Sequence, residues 1–136
     1  MFEIFEHTAD VGLRVRAGDL NQLFAEAGRG LSALLIENLE TIHPQEEIAF
    51  QLQAADLEDL LHDWLTELLY TFESKRLVLV NFDVAIEQMT LRAHAAGEKL
   101  DQLKHQVGQE IKAVTYHGLF VKPDSDEWLA EVILDL

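Results

Sequence analysis

Leu57, Leu60, Leu61, Trp64, Leu65, Leu68, Leu69 and Phe72 recur three and four residues apart, and no other run in the 136-residue chain restricts the fold as strongly. A helix with so broad an apolar stripe needs a sheet or a second helix to cover it. Asp56 precedes the stripe as an N-cap, Trp64 and Phe72 are its core anchors, and His62, Asp63, Glu67 and Glu73 fall largely on the other side. Neighbouring side chains on a helix diverge by about 100°, so His62 and Asp63 are expected as a solvated face rather than a catalytic pair. Alternating strands flank the helix: Ile48, Phe50, Leu52 and Ala54 before it, Val78, Val80, Phe82, Val84 and Ile86 after it, then Met89, Leu91, Ala93 and Ala95 in shifted phase. The change of phase between Ile86 and Met89 requires a turn or bulge, so residues 77–95 are two strands.

The same order of elements surrounds this unit. Phe2 and Ile4 mark a first strand, Val11, Leu13 and Val15 a second, and residues 7–10 are the connection between them. After an Ala17-Gly18 turn, Asp19 with Gln22 forms an N-terminal cap for apolar positions 20, 23, 24, 27, 31, 34 and 35 on one helical face. Gly28 and Gly30 inside that helix mark either a close approach to the sheet or a weak point. Residues 37–45, with His43-Pro44, are a loop, and 97–110 a polar surface connection. Strands over 111–121 and 127–135 close the chain through a four-residue hairpin loop, Pro123-Asp124-Ser125-Asp126. That loop length sets Asp135 opposite Val114, on one face with Lys112 and Tyr116, and sends His117 to the other face.

The expected fold is therefore α+β: a single domain, 1–136, of two helices packed on mainly antiparallel sheet. One strand-helix-strand-strand unit, 46–96, is inserted into another built from the flanking elements. With 49% apolar and 26% charged residues, a chain of this length can bury one real core.

Its formal charge of -15, from 25 acidic and 10 basic residues, disfavours direct capture of a phosphate backbone and suits a basic partner or a cation. There is no cysteine, which excludes disulfides, thiolate catalysis and cysteine zinc sites. No apolar run approaches the roughly 20 residues that cross a bilayer, and the acidic start Met1-Phe2-Glu3 is unlike a signal peptide, so a soluble cytoplasmic protein is expected. Gly28-Arg29-Gly30 lies in a helical pattern without the strand-to-helix setting of a phosphate loop, so no nucleotide pocket is expected.

Two groups of residues carry candidate chemistry. Asp10 and Asp135 are acids at strand ends, and the carboxylate of Leu136 adds an anion beside the second. Brought together they would repel unless a hard cation or a basic side chain compensated them, although Asp135 could also be solvated or paired with Lys112. His7, His105 and His117, with Lys104 and Lys112, could move protons or hold a phosphate, or could be satisfied structural side chains.

Three separated words are more specific than any of these patterns: His7-Thr8-Ala9-Asp10, Lys112-Ala113-Val114-Thr115-Tyr116-His117, and the ending Trp128-Leu129-Ala130-Glu131-Val132-Ile133-Leu134-Asp135-Leu136. In their order and spacing the chain resembles the archease family from end to end. The resemblance implies a non-catalytic accessory protein that activates the GTP-dependent, 3′-phosphate RNA ligase of tRNA splicing, promoting its guanylylation and multiple turnover. It implies that Asp10, Asp135 and Leu136 hold a divalent cation, Ca²⁺ or Mg²⁺, and that His7, Lys112 and His117 serve ligase activation ahead of His105. Partnership would be with the ligase and with tRNA only through it, without a membrane. A free-standing metal-dependent hydrolase acting on phosphoesters is the alternative, and a general chaperone or scaffold a third class.

Overall fold

The computed structural model describes residues 1–7 and 9–136, at His7 the backbone alone. In chain order the elements are β1 (Phe2–His7), β2 (Asp10–Ala17), α1 (Leu20–Leu35), β3 (Glu46–Gln53), α2 (Leu57–Lys75), β4 (Leu77–Glu87), β5 (Thr90–Lys99), β6 (Ala113–Val114), β7 (Phe120–Asp124) and β8 (Glu127–Asp135). One sheet runs β1-β2-β8-β6, with β7 also paired to β8; the other is β3-β5-β4. Each of these pairings is antiparallel. The fold is α+β, two helices on antiparallel sheets.

Local chemistry explains the helix starts. Asp19 and Asp56 sit in extended conformation and accept the amides of Gln22 and Asp59, each at 2.8 Å, satisfying donors that the first turn leaves unpaired. At the end of α2 Arg76 turns left-handed, and its amide reaches the Phe72 carbonyl. Between β4 and β5 the two-residue turn Gln88-Met89 has both residues at positive φ, the geometry that matches hairpin twist.

α1 departs from the one-faced helix expected of its pattern. Ten of its sixteen residues are buried, because it is covered on two sides. Gly30 faces Leu13 of β2, while Gly28 faces the Phe82 ring of β4, and a Cβ at Gly30 would come within 2.6 Å of Leu13. Both glycines are thus close approaches, one to each sheet. Trp64, fully buried on α2, joins the layers. Its ring meets Phe50 of β3 and Phe82 of β4 edge-on at 5.3 and 6.2 Å, and its indole N–H donates to the Phe24 carbonyl of α1 at 2.9 Å.

Three expected boundaries move. β5 continues to Lys99, because its last residues pair with Leu77 and Val78 across a bulge at Leu79/Asn81. The strand expected over 111–121 is only Ala113–Val114 and Phe120–Asp124, separated by a segment with a turn at Gly118, φ +62. The closing hairpin turns through Ser125-Asp126 alone, Asp124 pairing with Glu127. The register changes between β6 and β7, which a single uninterrupted strand would not allow.

Candidate functional site

The β1-β2-β8-β6 registers set four residues side by side across one end of the larger sheet: His7 opposite Asp10, Asp10 opposite Asp135, and Asp135 opposite Ala113. Opposed residues in antiparallel strands share a face with Cα atoms about 5 Å apart, so the two carboxylates project from the same face of adjacent strands. Both are partly buried. Leu136 follows directly, also partly buried.

Behind this row Phe5 lies over Gly12, where a Cβ would stand 2.1 Å from the ring. The Arg14 guanidinium sits 4.9 Å from the Phe5 centroid and donates to Glu131 at 3.0 Å. Glycine is required at position 12 for the aromatic ring to close over the strand, which stiffens the platform that carries Asp10.

Lys112 is tied to the same end through its backbone, donating to the Asp135 carbonyl at 2.7 Å. Its side chain is exposed. The expected pairing of Asp135 with Val114 is corrected to Ala113. With Ala113 opposite Asp135, the expected shared face with Lys112 and Tyr116 is not formed; Tyr116, past the end of β6, turns to α2 and stacks on His62. His117 is exposed in the turn beyond β6, out of the strand alternation that would have assigned it a face. Thr8 and the His7 side chain lie outside the described residues.

His105 belongs to a different place. It is buried, accepts the Asp101 amide through Nδ1 at 2.8 Å, and donates through Nε2 to Glu98 at 2.8 Å, while Lys104 reaches the same carboxylate at 2.6 Å. Hydrogen bonds from Lys104 first and His105 next hold the Glu98 carboxyl well below its usual range, down to about 2. This cluster fastens the 100–110 connection to β5 and leaves no imidazole nitrogen for other chemistry. The reading of His105 as a satisfied structural side chain is the one its contacts support.

The contact that the sequence reading set aside is formed: His62 Nδ1 lies 3.0 Å from Asp63 Oδ1. Adjacent Cβ directions diverge, but an imidazole and a carboxylate are long enough to meet around the helix surface. The other side of that ring is held from a distance, its Nε2 3.1 Å from the Val114 carbonyl oxygen of β6, a partner that no local pattern signals.

Among the described residues no group of three or more His, Asp or Glu side chains is gathered to hold a metal. The donors that could do so are the opposed Asp10 and Asp135 carboxylates, with Leu136 next in the chain, an oxygen set that suits Ca²⁺ or Mg²⁺ completed by water and carbonyls. No helix among the described residues is long and apolar enough to cross a membrane.

Fold and site together define a small acidic α+β protein whose two most separated sequence words converge at one sheet end. The chain belongs to the Archease protein family (MTH1598/TM1083), which it matches over residues 2–136. It is 37% identical to the archease of Methanopyrus kandleri and 37% identical to that of Pyrococcus furiosus, over 99% of this chain and 99% and 98% of those proteins. The solution structure of Methanobacterium thermoautotrophicum protein 1598 superposes with a TM-score of 0.89 at 30% identity, covering 99% of this chain and 98% of that one. The crystal structure of a Thermotoga maritima archease, described as a possible chaperone, shares the fold with a TM-score of 0.67 at 24% identity, covering 100% and 98%.

Proposed function

We propose that this protein activates a GTP-dependent RNA ligase of tRNA splicing, promoting its guanylylation and multiple turnover, without catalysing a step itself. The observation that carries the reading is the meeting of its three family words at one sheet end: Asp10 opposite Asp135, and Lys112 bonded to the Asp135 carbonyl. Asp10, Asp135 and the Leu136 carboxylate would hold a divalent cation. Bound there, the cation would supply a fixed positive charge that offsets the two aspartate carboxylates. Asp10 and Asp135 present their carboxylates from adjacent strands, and Lys112, exposed and bonded through its amide to the Asp135 carbonyl, can pair with a phosphate or carboxylate of the partner. The charge of -15 suits docking on a basic protein surface and disfavours independent binding of RNA, so tRNA would be met only through the ligase.

The test is to add trace amounts of the protein to such a ligase with GTP and a divalent cation. Faster guanylylation and several joining events per ligase are expected. No change in either sinks the reading, and hydrolysis of phosphoesters by the protein alone, abolished by Asp10→Asn, would favour the hydrolase instead. Suppression of aggregation of unrelated clients would favour a general chaperone.

A further inference from the structure

Residues 115–119 leave the sheet between β6 and β7 and lie against the first half of α2, whose polar side chains receive them. Glu58 Oε2 accepts the Val121 amide at 3.0 Å, and Asp59 lies beside the Tyr116 phenol. His62 makes the most specific contact. Its ring lies flat on Tyr116, centroids 4.0 Å and planes 13° apart. Its Nδ1 is 3.0 Å from Asp63 Oδ1, and its Nε2 is 3.1 Å from the Val114 carbonyl oxygen. A carboxylate and a carbonyl are both acceptors. A neutral imidazole has one N–H and satisfies one of them, whereas the imidazolium satisfies both and also presents a cation to the Tyr116 ring.

We propose that His62, in its doubly protonated form, is a positioning residue: it bridges Asp63 to the Val114 carbonyl, stacks on Tyr116, and thereby fixes the 112–118 segment that carries Lys112 and His117. No family word contains His62. Its functional consequence rests on the activator reading, but its effect on the segment does not. The ionisable groups around the ring are Asp59 and Asp63 on its own helix and Tyr116 on the segment. Lys112 and His117 are exposed on the same segment as Tyr116, Lys122 is exposed on β7, and Glu58 is engaged by the Val121 amide. As the pH rises and the ring loses a proton, one of its two hydrogen bonds is lost and the segment loosens.

Ring-nitrogen NMR of His62 and amide exchange of the segment test this on the intact chain. Thr115, His117 and Leu119 are the reporters, since each amide has an acceptor: the Ile133 carbonyl, Thr115 Oγ1 and the Tyr116 carbonyl. In mildly acid buffer both His62 nitrogens should carry protons. As the pH rises, exchange at the reporters, corrected for its intrinsic pH dependence, should quicken about tenfold with the same midpoint as the His62 ring. His62→Phe keeps an aromatic stack and removes both hydrogen bonds; its reporters should be fast at every pH, with β2 and β8 amides unchanged. His62→Lys, which restores one permanent donor, should remove the midpoint and recover part of the protection. A ring neutral throughout, or reporters equally protected in His62→Phe, overturns the proposal. In the ligase assay His62→Phe should need about fivefold more protein than wild type for the same guanylylation. Equal potency with a loosened segment overturns the functional half, whereas a wild-type protein without effect overturns the activator reading and leaves the exchange result to decide the bridge.

Discussion

Asp135→Asn removes one charge from the row across the sheet end while keeping its size. Asp10 and Asp135 are directly opposed and partly buried. At the roughly 5 Å between opposed positions, two negative charges repel by about 0.8 kcal/mol in water and about 3 kcal/mol at an effective dielectric constant of about 20. Solvent reaches both side chains, which brings the working figure down to about 1 kcal/mol. For a domain of this length that is about 3–4 °C in Tm. In chelator the variant should therefore melt above wild type by that amount. With Ca²⁺ at about a hundredfold excess over its Kd, wild type gains about 2.7 kcal/mol by mass action and should overtake the variant, which has lost a ligand charge. Calorimetry with and without Ca²⁺ reads both steps. A variant that melts below wild type in chelator refutes the repulsion, and an equal Ca²⁺ increment in both proteins refutes the shared cation.

The Glu98 cluster makes stability fall in acid. Its carboxyl is depressed from 4.5 to about 2, so its contribution is complete above the unfolded value and is lost as pH falls through that window. Urea midpoints of wild type and Glu98→Gln should differ most near neutrality and converge toward about pH 2; an unchanged gap would exclude the charge as its source. Gly97→Ala should be severe, because a Cβ there would stand 1.8 Å from the Val78 carbonyl oxygen at the β4 bulge, and backbone must move. A loss of about 3 kcal/mol or more is expected by thermal unfolding, and a loss under about 1 kcal/mol would mean that the bulge yields freely. Association with the ligase should weaken from low to high salt, measured by titration at several ionic strengths; salt-independent binding would rule out docking by net charge.

Much of the scaffold was legible in sequence because its signals are local. Asp19 and Asp56 are caps by what they offer to amides three residues ahead, and the stripe from Leu57 to Phe72 needs only the helical period. Asp10 and Asp135 could likewise be singled out as acids at strand ends. Which residues they face could not, because register depends on the residues a turn or bulge consumes, and one residue reverses every face. The closing hairpin turns through two residues rather than four, and 115–119 leave the sheet, so Asp135 meets Ala113 and not Val114. Tertiary contact alone decided that α1 is covered from both sides through Gly28 and Gly30 and that His62 reaches across to Tyr116. Periodicity and capping are properties of neighbours in the chain, and the sequence determines them directly. A polar partner or a stacked ring joins groups far apart in the chain, as His62 and Val114 are at 52 residues, and only tertiary packing selects it.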